Sequence, residues 1–296
     1  MTEWAEQRNA YMVIFNEHHG SPDGYLPSPL IMATAAATRT QKVPISVAAL
    51  LLLMYDPVKL AEDMITLDHL SKGRVSYTIG LGYRPSEYEM FGIDKSTRGD
   101  EIEERIEVLK RALTGERFEW NGRNIQVTPE PFTPGGPVLG YGGGSPPAAR
   151  RAARQGMLLM AATADESLAD IYDAEAIRVG NQPGMAIVPG GGPTSVFVAE
   201  DVDAGWDAYG EYMLHDARMY ADWMGGETRA ASYSAAETVE DLRAEHGSYR
   251  VVDPDGAVDL IRTGGILSLQ PLCGGMPPEL AWHSLRLIEH EVLPRV

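Results

Sequence analysis

Short apolar segments that alternate with amphipathic helical patterns are the feature that most constrains this chain. The segments are rich in β-branched residues and lack an alternating polar face, which indicates strands buried on both sides, as in a parallel sheet. Such strands are predicted at residues 11–15, 45–53, 75–79, 137–141, 157–161, 195–199 and 266–272. Helical spacing predicts helices at residues 2–9, 29–38, 57–70, 98–113, 146–155 and 278–293. Strand–helix alternation along the whole chain predicts an α/β fold.

The helix predicted at residues 57–70 carries the clearest local signals. Asp56 is a suitable N-cap, and Pro57 suits the first helical position. Apolar residues then recur at helical spacing at Leu60, Met64, Leu67 and Leu70. Right-handed crossovers repeated this often close a sheet on itself, so we expect a TIM (β/α)8-type barrel. An open, doubly wound sheet is the competing arrangement.

Two segments depart from the alternation, and seven strands are predicted where a barrel has eight. Residues 116–134 are predicted to form a hairpin around Asn121-Gly122, inserted before the strand at 137–141. Residues 203–252 form a long excursion with a Gly225-Gly226 break, expected to be helical packing or a lid. Because a helix precedes the first predicted strand, we expect either that the barrel lacks its first strand or that the sequence begins inside a longer one. Residues 1–296 are expected to form a single barrel domain.

Composition and charge exclude several classes of function. Of 296 residues, 44% are apolar, which is enough for a large core. The single cysteine, Cys273, excludes an internal disulfide and favours a cytoplasmic location. A net charge of −17 disfavours nucleic acid and anionic membranes as partners. No apolar run reaches the roughly 18 residues of a spanning helix, and the first ten residues lack a signal-peptide pattern.

Candidate functional residues follow the predicted strands, where barrel enzymes place their active sites. Glu17, His18 and His19 come directly after the strand at 11–15. Side chains alternate along a strand, so His18 and His19 point in different directions, which argues against a metal site. We expect one imidazole to face the barrel mouth as an acid, base or donor. Glu17 and His18 are therefore the candidate catalytic residues, and the competing interpretation is a histidine bonded to neighbouring backbone.

The glycine loop, residues 142–145, lies between a predicted strand and a predicted helix. Gly142, Gly143 and Gly144 allow a ligand to approach the backbone, and Ser145 stands where the helix begins. The serine hydroxyl can bind a phosphate or cap the helix. Phosphate binding is favoured, because capping alone does not require three glycines.

A third group, Gly80, Gly82, Tyr83 and Arg84, follows the strand at 75–79. Small residues at a strand end leave room for a flat ring or a phosphate. Arg84 could instead pair with Glu87. The spacing fails as a dinucleotide-binding fingerprint, because a proline occupies the last glycine position.

These three sites occur in the order and spacing of a known family. The chain resembles the luciferase-like flavin monooxygenases over nearly its whole length. The resemblance is carried by NEHH at 16–19, DPVKLAEDMITLDHLSKGRV at 56–75, GLGYRPSEYEMFGID at 80–94, GGGSPPAARRAARQG at 142–156 and the tail that begins with PLCGG. It implies a TIM barrel that holds reduced FMN, or in one branch the deazaflavin F420, at the carboxyl ends of the strands.

The resemblance also implies roles for single residues. His18 matches a histidine that acts as an acid or base beside the flavin. Ser145 matches a serine that binds the flavin phosphate, and Ala48-Ala49 matches a non-proline cis peptide behind the flavin ring.

Residues 80–83 match the strand end that lines the phosphate and the ring in this family. Where the luciferase subunit has a phosphate-binding arginine, this chain has Leu81. Arg84 is the candidate replacement for that contact.

The activity that the resemblance implies is oxygenation of a small organic substrate. A separate reductase would supply reduced FMN, which reacts with dioxygen. The pocket would exclude water, and His18 would act as the acid or base. Two alternatives stay open: F420-dependent hydride transfer on the same barrel, and a flavin-binding or partner subunit without activity of its own. The helix at 57–70 resembles the subunit interface of the family, with Glu62 and Asp63 on it, which predicts a homodimer.

Overall fold

A computed structural model describes residues 1–190, 192–225 and 228–296 of the protein. These residues form two compact units. Unit 1 contains Met1–Ser21 and Tyr25–Val188, and unit 2 contains Pro22–Gly24 and Pro189–Val296. The sequence did not predict this division.

Helices and strands alternate through unit 1 as the sequence predicts. Its elements are α1 (Thr2–Gln7), β1 (Val13–Phe15), α2 (Pro29–Arg39), β2 (Ile45–Leu51), α3 (Pro57–Ser71), β3 (Val75–Gly80), α4 (Pro85–Met90), α5 (Arg98–Leu113), β4 (Phe118–Trp120), β5 (Arg123–Ile125), β6 (Leu139–Gly143), α6 (Pro146–Arg154), β7 (Leu158–Ala161), α7 (Ser167–Arg178) and β8 (Ala186–Ile187).

The main sheet of unit 1 contains six parallel strands in the order β1-β2-β3-β6-β7-β8. This spatial order follows the chain order without a reversal. A doubly wound sheet reverses its strand order at a switch point, whereas a barrel adds each new strand on the same side. The winding is therefore that of a barrel, and the doubly wound alternative is wrong.

Local signals position α3 as expected. The Asp56 carboxylate accepts hydrogen bonds from the backbone N–H groups of Val58 and Lys59, at 2.9 and 3.1 Å. The helix ends at Lys72, which adopts a left-handed conformation. The expected apolar face is buried except at its last position, where Leu70 is 47% exposed.

The hairpin predicted within residues 116–134 is present. Strands β4 and β5 pair antiparallel, and Asn121 and Gly122 both have positive φ angles, of 49° and 71°. A two-residue turn of this kind needs φ above zero at both positions, which explains the Asn-Gly pair.

Unit 2 differs more from the expectation. Its elements are β9 (Ser195–Val198), α8 (Val202–Met224), α9 (Val239–Glu245), β10 (Tyr249–Val252), α10 (Pro254–Gly264) and α11 (Pro278–Leu287), followed by a π-helical turn at Ile288–Val292. The excursion at 203–252 is mostly helical, and it contains β10, which pairs parallel with β9. Of the Gly225-Gly226 break, Gly226 lies outside the described residues.

The strand predicted at residues 266–272 is wrong. That segment is irregular, although the Ser268 carbonyl accepts a hydrogen bond from Val196 N at 3.0 Å. Pro271 has no N–H to add to a ladder. None of the helices in the described parts of the chain is both long and apolar enough to cross a membrane.

Candidate active site

The carboxyl ends of four neighbouring parallel strands bring the predicted site residues to one edge of the main sheet. Gly80, the last residue of β3, pairs with Leu51 on one side and with Gly142 on the other. The glycine loop follows β6 directly, and the segment with His18 follows β1. All of these residues belong to unit 1.

The Ala48-Ala49 peptide in β2 is cis, as the resemblance implied. The pairing of β2 with β3 shifts by one residue between Ala48 and Leu50. A Cβ atom on Gly80 would lie 2.7 Å from the Ala49 Cβ. Glycine at position 80 is therefore what allows β3 to lie this close to the cis peptide.

The His18 ring is held by two hydrogen bonds. Its Nδ1 lies 3.0 Å from Glu87 Oε1, and its Nε2 lies 3.1 Å from the Tyr83 hydroxyl. The rings of Tyr25 and Tyr83 contact it edge-on, with centroids at 5.0 and 5.6 Å. As a result the residue is only 6% exposed. It is bonded to side chains, so the interpretation as a histidine tied to neighbouring backbone does not describe its ring.

Glu87 of α4 is the carboxylate at the centre of this network. Its Oε1 also accepts the backbone N–H of His19 at 2.9 Å and a guanidinium N–H of Arg84 at 3.2 Å. Burial acts to raise the pKa of Glu87, but the hydrogen bonds from His18 and His19 and the charge of Arg84 lower it overall. The carboxyl group is therefore ionised over the physiological pH range.

Glu17 is buried and fully engaged in a separate set of bonds. Its Oε2 accepts Leu51 N at 2.7 Å, and its Oε1 lies 2.5 Å from the Tyr55 hydroxyl and 3.1 Å from His19 Nε2. The His18 and His19 rings thus have different partners, as predicted, although both residues lie beyond the end of β1. The contacts of Glu17 tie the segment after β1 to the end of β2, which is a positioning role. Its predicted catalytic role stays a prediction.

Arg84 is 6% exposed and lies in the same cluster as Glu87. Its Nη1 donates to the His19 carbonyl at 2.8 Å as well as to the Glu87 carboxylate. The pairing with Glu87 is the alternative that the sequence offered for this residue. The geometry favours it over the phosphate contact, which stays a prediction for Arg84.

Tyr83 and Gly82 lie on the loop that follows β3. Gly82 has a φ of +81°, which a side chain would disfavour. The Tyr88 hydroxyl donates to the Leu81 carbonyl, and Lys95 Nζ donates to the Tyr83 carbonyl at 2.7 Å. These bonds fix the loop from both sides, so the Tyr83 phenol is held against His18.

The three glycines of the glycine loop pack where side chains would collide. A Cβ atom on Gly142 would lie 3.1 Å from Thr78 Cγ2, and one on Gly143 would lie 2.6 Å from the Ala148 Cβ. A Cβ atom on Gly144 would lie less than 3.0 Å from Thr163 Cγ2. Glycine at these three positions is therefore what lets the loop pack this closely against Thr78, Ala148 and Thr163.

Ser145 begins α6 but does not cap it. Its side chain makes no hydrogen bond to the first turn, although it occupies the N-cap position. The first two helical residues are Pro146 and Pro147, which have no N–H, and Ala148 N bonds to the Ser145 carbonyl. The alternative that this hydroxyl caps the helix is wrong, and the hydroxyl is left for another partner.

Two functional candidates were missed by the sequence analysis. Glu87 was considered only as a partner of Arg84, not of His18. Thr163, just beyond β7, was not considered, although a polar residue directly after an apolar strand is a usable signal. Its Oγ1 is buried behind Gly144 and has no hydrogen-bond partner. Within the described residues, no three His, Cys, Asp or Glu side chains converge as a metal site requires.

The family model for luciferase-like monooxygenases matches residues 1–269 of this chain. Among curated proteins, 4-hydroxyprotoasukamycin monooxygenase of Streptomyces nodosus subsp. asukaensis is 28% identical over 137 residues, which are 44% of this chain and 37% of that protein. The chain spans between 36% and 39% of the length of the first three curated relatives it matches.

Solved structures resemble the chain over almost its whole length. The oxygenating constituent of 3,6-diketocamphane monooxygenase from Pseudomonas putida, in complex with FMN, has a TM-score of 0.70 at 21% identity and covers 100% of this chain and 91% of its own. The coenzyme F420-dependent tetrahydromethanopterin reductase of Methanopyrus kandleri has a TM-score of 0.65 at 16% identity and covers 99% and 93%. Likeness at this identity shows the fold, and the barrel class predicted from the sequence is confirmed.

Proposed function

Because this chain belongs to the luciferase-like monooxygenase family, we propose that it is a flavin-dependent monooxygenase that binds reduced FMN and oxygenates a small organic substrate with dioxygen. The observation that carries the proposal is the glycine loop. It places three closely packed glycines and a serine hydroxyl that does not cap its helix at the same sheet edge as His18.

The residues of the glycine loop fit a phosphate group. The hydroxyl of Ser145 makes no bond to its own helix and can donate to an anion. The hydroxyl of Thr163 is a second donor, buried behind Gly144 without a partner, and a phosphate at the loop would provide an acceptor nearby. The prolines at the start of α6 remove two backbone donors, so binding would depend on these hydroxyls and on the N–H groups of the loop.

Bound reduced FMN would supply the two electrons that activate dioxygen. The protein's own residues would position the ring and control protons. Ala48, Ala49 and Gly80 are small residues toward the carboxyl ends of β2 and β3 and would leave room for the ring. The rings of Tyr25 and Tyr83 cover His18 and keep water from its imidazole, which stays within hydrogen-bond reach of the Tyr83 hydroxyl.

The proposal is tested by anaerobic titration of the protein with reduced FMN and with reduced riboflavin, which has the same ring but no phosphate. We expect the Ser145→Ala variant to lose one hydrogen bond to a charged group, about 1.5 to 3 kcal/mol. That loss raises the Kd for FMN by roughly 10- to 100-fold. The Kd for riboflavin should not change, because riboflavin never reaches Ser145. Equal weakening for both ligands would contradict a phosphate site at the glycine loop.

The same titration with F420 separates the alternatives. Binding of F420 and not of FMN would refute the monooxygenase proposal and support hydride transfer on the same barrel. If reduced FMN binds but is reoxidised at the same rate as free FMN, and no substrate is turned over, the result would support a flavin-binding subunit instead.

The proposal extends to partners. A separate reductase would supply reduced FMN, and a homodimer would form through α3, on which Glu62 is exposed and Asp63 pairs with Lys59. Exposed Leu70 lies at the end of the same helix. A solution mass equal to that of one chain would refute the dimer. A cytoplasmic location, where reduced flavin can be supplied, is tested by cell fractionation.

A further inference from the structure

Both ring nitrogens of His18 are already occupied by protein groups. Nδ1 faces Glu87 Oε1 at 3.0 Å, and Nε2 faces the Tyr83 hydroxyl at 3.1 Å. His18 itself is 6% exposed, whereas Tyr83 is only half-buried. A reactant at the sheet edge would therefore meet the Tyr83 phenol before it could reach either imidazole nitrogen.

The direction of these two bonds follows from the charge of Glu87. Its side chain is 0% exposed, and burial raises its pKa, but the bonds from His18 and His19 and the charge of Arg84 lower it overall. An ionised carboxylate can only accept, so Nδ1 carries the hydrogen, and in the neutral imidazole Nε2 presents its lone pair. The Tyr83 hydroxyl then donates to Nε2.

We propose that Glu87, His18 and Tyr83 form a proton relay in which Tyr83 is the catalytic residue that exchanges a proton with the bound reactant. This inference rests on the proposed flavin-dependent function. Glu87 and His18 act through Tyr83, so Glu87 is a positioning residue.

The relay balances without any further reactant. An O–H or N–H group of the reactant gives its proton to Tyr83 Oη while the Tyr83 proton moves to His18 Nε2. The reactant is left with one proton fewer, and the resulting imidazolium is held by the Glu87 carboxylate. The reverse movement returns the proton, and the phenol is neutral before and after each transfer. This arrangement follows the same logic as a carboxylate that orients a histidine beside a hydroxyl nucleophile.

The loop geometry supports the assignment to Tyr83. The residue follows Gly82, whose φ of +81° turns the chain directly after β3. Its carbonyl is held by Lys95 Nζ at 2.7 Å, so the backbone is fixed and the phenol stays against His18. The Tyr25 ring also contacts the His18 ring edge-on, with centroids 5.0 Å apart.

The first experiment is the reaction of protein-bound reduced FMN with dioxygen, followed by the return of oxidised-flavin absorbance and the release of hydrogen peroxide. This reaction needs proton transfer and no organic substrate. General acid–base groups contribute about 100- to 10,000-fold, so we expect Tyr83→Phe to slow it by at least about 100-fold when the protein is saturated with reduced FMN. Tyr11→Phe, at a tyrosine that is 77% exposed, is the matched control and should react at the wild-type rate. A wild-type rate in Tyr83→Phe would overturn the relay.

The second experiment needs no flavin. Nitrogen-15 NMR of labelled imidazoles reports which ring nitrogen carries the hydrogen, with the His18 signals assigned by their loss in His18→Gln. We expect the Nδ1–H tautomer in the wild type and a shift toward Nε2–H in Glu87→Gln, because an amide can donate to Nδ1. Glu89→Gln, on the exposed side of the same helix, should leave the tautomer unchanged.

The two readouts separate the inference from the proposed function. An Nε2–H tautomer in the wild type would overturn the relay whatever the protein binds. Failure to bind reduced FMN, together with the expected tautomers, would refute the flavin function and leave the hydrogen-bond network intact. If Glu87→Gln does not fold, Tyr83→Phe still decides the question, since a half-buried phenol can lose its hydroxyl without a change of shape.

Discussion

The contact between Gly144 and Thr163 makes the Gly144→Ala substitution a direct test of how the glycine loop is built. The added Cβ would lie less than 3.0 Å from Thr163 Cγ2, which real Cβ contacts essentially never show. Gly144 does not have a positive φ, so alanine can adopt its backbone, and the three nearest atoms to the added Cβ all belong to Thr163. Thr163 is β-branched and 2% exposed, so it cannot rotate away freely. Overpacking of this kind costs about 1 to 3 kcal/mol in the free energy of unfolding.

A second substitution shows whether that contact is the cause. Thr163→Ala removes Cγ2 and Oγ1 and leaves only the Thr163 Cβ, which lies 3.4 Å from the new Cβ, an ordinary contact. In the double variant the collision disappears. We therefore expect the double-mutant cycle to give a favourable interaction of about 1 to 3 kcal/mol between the two alanines.

The assay is equilibrium urea unfolding of the flavin-free protein. Gly264→Ala is the matched control, because no atom lies within 4 Å of its added Cβ and its φ is not positive. It should be neutral or stabilising by up to about 1 kcal/mol. The reasoning is refuted if Gly144→Ala unfolds like Gly264→Ala, or if Thr163→Ala fails to restore the stability of Gly144→Ala.

Three further predictions concern buried polar groups. Thr163→Val keeps the shape of the side chain and removes a buried hydroxyl that has no partner, so the free energy of unfolding should rise by about 1 kcal/mol; a lower value in urea unfolding would contradict this. Arg84→Ala leaves the Glu87 carboxylate buried without its cation, which should cost about 3 to 5 kcal/mol; a loss below about 1 kcal/mol would mean that the pair behaves like a surface ion pair. Glu175 has its pKa lowered from the ordinary 4.5 to about 2, first by the hydrogen bond from Arg178. The stability that the ionised Glu175 adds is therefore complete above pH 4.5 and disappears as the pH falls toward 2. The free energies of unfolding of wild type and Glu175→Gln should differ at about pH 5 and converge near pH 2.

The fold was predictable where local signals and burial agreed. The Asp-Pro start of α3, the apolar spacing of α5 and the Asn-Gly turn of the hairpin all reflect short-range chemistry that tertiary packing did not override. The same Asp-Pro signal occurs at Asp253-Pro254, where it begins α10, and no helix was predicted there. The false strand at 266–272 has strand composition without a ladder of partners, and partners cannot be read from one segment.

The location of the candidate site was predictable, but the hydrogen bonds within it were not. Strand-end positions gave His18, the glycines and Ser145, because parallel strands deliver their carboxyl ends to one edge. The sequence could not show that Glu87, 69 residues away, would meet the His18 ring. Nor could it show that two prolines would leave Ser145 uncapped, since a cap depends on where the first free N–H groups point. Long-range pairs and unsatisfied donors depend on the packed fold.

The unsatisfied groups connect stability to ligand binding. Glu87 Oε2 and Thr163 Oγ1 are both buried without a hydrogen-bond partner, and each such group costs about 1 to 3 kcal/mol. Both residues lie at the candidate site, one beside His18 and the other behind the glycine loop. A protein that tolerates such costs at one edge of a sheet gains most from a ligand that supplies the missing partners. FMN present at 100 times its Kd would stabilise the folded state by about 2.7 kcal/mol. At the same FMN concentration, the stabilisation by FMN should be smaller in Thr163→Val than in the wild type, because the variant has no hydroxyl at this position to donate to the ligand.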